Sequence, residues 1–297
     1  ILIDIGEYNH SFPFTSSDIK VEYNKIIGGI FIIDIITIDN DFAVSCGNVV
    51  LIFSDNGKIE HVIGKNIIKT SRGICFDYKR NLLFVADCDG EPQIHVFLKN
   101  INKSWTYIRS ININKKNQSI YQLDYPLKVV VTNDELIVSC LNTKKLKFFN
   151  LTTFEFTRVL NTSKICSNEI YFNFFSNLLY TLDIENNKIH VLSSIGEYIY
   201  SLDMGEFDGE ESSIRCLCVS DDSKFILTTN FNNDNMLHIL DAKDGSDVAL
   251  YGPFKNKKGK NSLITNLCLT KSGDILLCCS KNDFDETVNI IRMHALN

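Results

Sequence analysis

The 297-residue sequence has no apolar run able to cross a bilayer. Its longest, residues 30–36, is interrupted by Asp34 and falls far short of the ~20 residues a spanning helix needs. No Gly-x-Ser-x-Gly nucleophile elbow is present. The stretch GPFKNKKGKNS, residues 252–262, fails as a phosphate loop. Asn261 stands where Ser or Thr is required, and no helical pattern comes after it. Among ten cysteines none forms a Cys-x-x-Cys pair, which removes the usual zinc and redox spacings. A net charge of −6 gives no general excess of positive charge for a phosphate backbone. The chain begins at Ile1 without Met or a charged leader, so a piece of a longer protein is expected.

What is present is a globular composition, 44% hydrophobic and 22% charged, sufficient to bury a core. The cysteines fall in or beside predicted strands and read as buried free thiols in a reducing compartment. Five Asn-x-Ser/Thr sequons are what an Asn-rich chain generates by chance, so an intracellular, cytoplasmic location is expected.

The organising feature is repetition. A β-rich stretch ending in a small or acidic residue recurs six times, at Cys46, Asp87, Cys140, Asp183, Thr229 and Cys279, each followed by a second hydrophobic run. Near-regular spacing of this size marks a repeat fold. Alternation and β-branched or aromatic enrichment place four strands in each copy, with Gly, Asn and Asp at the turns. The expectation is an all-β, six-bladed β-propeller of four-stranded antiparallel blades in a single domain covering 1–297. The blades fall at about 26–65, 66–111, 112–160, 161–204, 205–252 and 253–297 plus 1–8. The last copy lacks its fourth strand, and ILIDIG, residues 1–6, has the pattern of KIEHVIG, residues 58–64. An N-terminal strand completing the C-terminal blade would remove a sheet edge.

The segment RGICFDYKRNLLFVADCDGEPQIHVF, residues 72–97, resembles an NHL repeat, and the copy within 161–204, with LLYTLD and NKIHVL, is the next best match. The other copies replace the strand-ending Asp with Cys46, Cys140, Thr229 and Cys279. No Trp-Asp or Gly-His dipeptide points to the WD type, and the lone tryptophan, Trp105, falls in an outer strand. The resemblance implies a propeller that binds a protein or peptide, as scaffold or substrate-recognition domain, within a larger complex. The alternatives it implies are RNA binding through a positive face, or a calcium-dependent propeller hydrolase or lyase.

Function in such a scaffold sits on loops, and the connections between blades, 8–29, 112–126, 205–213 and 252–262, are long. That face is the expected binding site, with aromatic anchors Phe12, Phe14, Tyr121, Tyr125, Phe207, Phe254 and Phe284 beside Arg72 and the basic cluster Lys255, Lys257, Lys258 and Lys260. His95, His190 and His238 hold one position in three third strands, too far apart around a ring to share an ion, and read as packing. Asp87 and Asp183 read as turn acceptors. Neither DCDGE (87–91) nor DFDE (283–286) completes a calcium loop, so no metal or cofactor is expected. A channel metal would draw on Asn168, Glu169, Asn173 and Asn266. No catalytic constellation is visible, and a non-enzymatic role is expected.

Overall fold

The structure, a computed structural model, describes residues 19–25, 32–112, 122–161, 167–183, 186–204, 214–230, 236–252, 262–270, 274–281 and 289–295. These residues form twenty-four strands and no helix. After β1 (Ile19–Lys25) come β2 (Ile32–Ile38), β3 (Asp41–Cys46), β4 (Val49–Phe53) and β5 (Ile59–Ile63). A second set is β6 (Ser71–Asp77), β7 (Leu82–Asp87), β8 (Gln93–Lys99) and β9 (Trp105–Ile111). A third is β10 (Pro126–Val131), β11 (Glu135–Cys140), β12 (Lys145–Asn150) and β13 (Phe156–Asn161). The next two are β14 (Ser167–Asn173), β15 (Leu178–Asp183), β16 (Lys188–Ser193) and β17 (Tyr198–Asp203), then β18 (Ile214–Val219), β19 (Phe225–Asn230), β20 (Leu237–Asp241) and β21 (Asp247–Tyr251). The chain ends with β22 (Ser262–Leu269), β23 (Ile275–Lys281) and β24 (Asn289–Ala295).

The strands pair antiparallel into six four-stranded sheets, five of them simple meanders and the sixth ordered β1-β24-β23-β22. The first strand of each sheet lies against the first strand of the next: β2 on β6, β6 on β10, β10 on β14, β14 on β18, β18 on β22, and β22 back on β2. That cyclic adjacency makes a closed propeller with these six strands around a central channel. Burial obeys the same plan. Each hydrophobic cluster joins two neighbouring sheets, for example Val50, Ile52 and Ile63 of one with Ile74, Leu83 and Phe97 of the next. The outermost strands are half wet, as the pattern of Ile59–Ile63 shows.

Closure uses an N-terminal strand, but a different one from that expected. β1 pairs with β24 over seven residues, from Ile19 opposite Ala295 to Lys25 opposite Asn289. Residues 1–6 lie outside the described residues, and the place assigned to them beside the third strand belongs to IKVEYNK. The two segments share an alternating apolar pattern, so periodicity alone did not separate them.

Register also corrects one repeat position. His95, His190 and His238 stand opposite Val85, Thr181 and Thr228, and two residues further along their partner strands are Asp87, Asp183 and Asn230. Asn230, and not Thr229, is therefore the equivalent of the strand-ending aspartates. These aspartates hold the histidines. Asp87 Oδ2 lies 3.0 Å from His95 Nε2 and also accepts the Lys69 backbone N–H, while Oδ1 accepts that of Thr70. Asp183 Oδ2 lies 3.2 Å from His190 Nε2. Burial works to raise the Asp87 pKa, but the hydrogen bonds from His95, Lys69, Thr70 and Asp89 outweigh it and hold the carboxyl below its ordinary value.

A second repeated device ends the inner strands. Asp77 Oδ1 accepts the N–H groups of Lys79 and Arg80, Asn173 Oδ1 those of Phe175 and Ser176, and Thr132 Oγ1 those of Asp134 and Glu135. Ser220 and Thr270 do the same for Phe225 and Asp274. Short polar side chains at one register position thus fold the chain back toward the second strand. The next tight bend is carried by residues such as Asn81 (φ 55°) and Asn177 (φ 57°), in the left-handed region that Asn tolerates best.

Candidate functional site: the central channel and its mouth

Every inner pair carries a register shift just inside its first residues, between Ile32 and Asp34, Ser71 and Ile74, Pro126 and Val129, Ser167 and Ile170, Ile214 and Cys216, and Ile264 and Asn266. A bulge adds one residue to a strand and re-aims the side chains beyond it. Extending the common register that follows the shift back to one position in every strand gives a ring: Asp34, Gly73, Lys128, Glu169, Cys216 and Asn266. Two residues on, the next ring is Ile36, Cys75, Val130, Tyr171, Cys218 and Cys268, all of which line a cavity of about 300 Å³.

The first ring is a polar network across the channel. The Lys128 ammonium lies 2.6 Å from Asp34 Oδ1 and 2.8 Å from Glu169 Oε1. The Asp34 contact is a hydrogen bond; the Glu169 contact is ionic, without hydrogen-bond alignment at Oε1. Asn266 Nδ2 donates to Asp34 Oδ1 at 2.9 Å, and the Ile74 backbone N–H donates to Oδ2 at 2.8 Å. Asp34 therefore ties together β2, β6, β10 and β22. Lysine reaches across because β6 contributes Gly73, where an added Cβ would sit 2.5 Å from the Lys128 Cα.

One ammonium between two buried carboxylates cannot neutralise both. Burial raises the Glu169 pKa to about 7, with Lys128 opposing and Asp34 adding to the rise. Lysine is pushed the other way: burial lowers its pKa, and the fields of Asp34 and Glu169 reverse this and raise it. Asp34 accepts from four donors, and Glu169, whose pKa is the raised one, carries the labile proton. The folded chain thus binds that proton more tightly than the unfolded chain, whose carboxyl titrates near 4.5. Stability must fall as pH rises from about 4.5 to about 7 and level off above. Melting curves between pH 5 and pH 8 should show that loss in the wild type and a shallower one in Glu169→Gln. Parallel curves for the two proteins would refute the assignment.

The cavity opens away from the expected face. Its liners come from the second half of each inner strand and the turn beyond, including Thr37, Phe76, Tyr78, Phe172, Phe174 and Asp221. This is the end where first strands turn into second strands, opposite the connections between blades. Two edge-to-face aromatic pairs sit there, Phe76 with Tyr78 at 5.0 Å and Phe172 with Phe174 at 4.9 Å. Tyr78 and Phe174 are 44% and 56% exposed, and the adjoining Phe175 is 79% exposed. The thiols of Cys75, Cys218 and Cys268 all have pKa values raised by burial and so form a neutral, polarisable wall.

Of the expected binding residues, the structure describes two. Arg72 donates from Nη2 to the Tyr125 hydroxyl at 2.6 Å, lies over the Tyr125 ring at 5.3 Å, and donates from Nε to Cys88 Sγ at 3.3 Å. They form one cluster on the opposite side of the ring. Phe12, Phe14, Tyr121, Phe207, Phe254, Lys255, Lys257, Lys258, Lys260 and Phe284 lie outside the described residues. Of the suggested channel donors, Glu169 and Asn266 belong to the ring but engage Lys128 and Asp34, while Asn173 caps a turn at the far end. The side chain of Asn168 is not described. Among the described residues no three His, Cys, Asp or Glu side chains are placed to hold a metal ion. Sequence reasoning missed Asp34 and Lys128. A charged residue inside an otherwise aliphatic inner strand, IIDIITI, was the signal available.

No protein-family model matches the chain, and no characterised protein matches it by sequence. Among solved structures it is similar to one described as a streptogramin B lyase. The TM-score is 0.59 at 12% identity, over 89% of this chain and 79% of that one. The likeness supports the class defined by the six sheets, a β-propeller. It also corrects the expectation of a non-enzymatic role, because the fold is shared with a lyase and therefore does not separate binding from catalysis. Among the described residues, no helix is long and apolar enough to cross a membrane.

Proposed function

We propose that this propeller is a recognition domain for a protein or peptide segment, and that the segment docks at the mouth of the central channel. The observation that carries the reading is the pair Tyr78 and Phe174, exposed at the edge of an apolar cavity, with exposed Phe175 next to Phe174 in the chain. Aromatic groups held on a rigid frame beside a pocket are the residue type that anchors interfaces. The turns between third and fourth strands emerge at the same end and add exposed Ile101 and Ile195. The free buried thiols, Cys46, Cys140 and Cys216 among them, suit an intracellular, reducing compartment.

Affinity capture from the native cell with three baits tests it. The Tyr78→Ala/Phe174→Ala/Phe175→Ser variant should lose its protein partners while its melting temperature stays within a few degrees, since these side chains are partly exposed. A loop-face variant, Arg72→Ala with Lys255, Lys257, Lys258 and Lys260 changed to Glu, should keep them. The opposite pattern would return the site to the inter-blade face. Partners that vanish on RNase treatment would replace the protein reading with an RNA one.

A further inference from the structure

We propose that the mouth receives a cationic side chain: the docked segment presents a lysine, methylated or not, to Asp221 and the two aromatic pairs. This rests on the reading of the mouth as a recognition site and names the chemistry it selects.

Charge sets the preference. Asp221 lines the cavity, is exposed, and has no hydrogen bond or ion pair among the described residues. Its carboxylate is felt by Tyr171 and Cys218 in the wall. Among the described residues the cavity has one cationic liner, Lys128, and that ammonium is already shared by Asp34 and Glu169. No lysine or arginine is therefore left in the described wall to answer Asp221 or to welcome an anion. A carboxylate entering this space would meet Asp221 at the rim, and the Lys128 ammonium is already engaged by Asp34 and Glu169.

Shape and surface narrow the choice further. Phe76 with Tyr78 and Phe172 with Phe174 line the cavity as two perpendicular pairs, 88° and 85° between planes, and Tyr78 and Phe174 are the exposed member of each. A ring face attracts an ammonium within ~6 Å, and more strongly as water is excluded. At about 300 Å³ the space is at the low end for small-molecule pockets, which run roughly 300–1,000 Å³, and accommodates a single long side chain.

The test uses capped pentapeptides that differ only at the central residue, lysine, trimethyllysine or norleucine, titrated into the full chain and followed by ligand NMR. Lysine and trimethyllysine peptides should bind roughly tenfold tighter than the norleucine peptide, and Asp221→Asn should erase most of that difference. Equal or tighter binding of norleucine, or no binding by any of the three, overturns the proposal. Partner capture separates the two levels. If the aromatic variant loses its partners and Asp221→Asn keeps them, the cation preference fails and the recognition surface stands; if neither variant loses them, both fail.

Discussion

Replacing Lys128 with Met should lower the melting temperature by roughly 10 °C, the largest effect expected of any single side chain in the channel. Lysine packs between four inner strands, and among the described residues its ammonium is the only cation within reach of Asp34 and Glu169. Removing one member of a buried ionic network leaves the remaining charge uncompensated, at a cost of about 3–5 kcal/mol. Methionine keeps much of the aliphatic volume, so the loss reports charge and not a cavity. The sign of a second experiment distinguishes these causes. Adding Asp34→Asn and Glu169→Gln to Lys128→Met removes the orphaned carboxylates and should recover most of the stability, because neutral replacements of a buried ionic cluster are often tolerated. The pH dependence should move with it: Lys128→Met alone steepens the loss between pH 5 and pH 8, since nothing then favours the ionised form of Glu169. If Lys128→Met melts within 2–3 °C of the wild type, the network is not what holds the inner ring together.

That network was hidden in the sequence for a definite reason. Period-two alternation places strands well, and IIDIITI, LLFVAD and KIHVL are all legible as such. It does not show where a bulge falls. Each of the six inner pairs slips by one residue near the ring, so Asp34, Lys128, Glu169 and Asn266 reach the same level only after the slip is counted. The same one-residue ambiguity put Thr229 in the place of Asn230. The His–Asp pairs were visible as repeated letters, yet their contact needs the register that puts His95 opposite Val85 and brings it to Asp87. Long loops drew attention to the face between blades, whereas the aromatic mouth is built from short turns, where Tyr78 and Phe174 come directly after strand-ending caps. Length was the wrong guide to the exposed surface.

Deletion of residues 1–25 should cost more than any substitution, because it removes β1 and with it the partner of β24. Seven paired residues join the first described strand to the last, and without them β24 becomes an open edge while the sixth sheet is held to the first through β22 and β23. Each ladder hydrogen bond contributes about 1 kcal/mol net, so several are lost at once. The bare edge then invites pairing between molecules. The expected result is a melting temperature lower by more than ~10 °C, or loss of the cooperative transition, together with concentration-dependent aggregation. Trimming residues 1–6 alone leaves β1 in place and should cost far less. A synthetic IKVEYNK peptide, residues 19–25, added to the long deletion should restore part of the transition, as a strand supplied in trans completes an open sheet. Should the short and long deletions melt alike, or the peptide leave the long one unchanged, β1 does not close the ring.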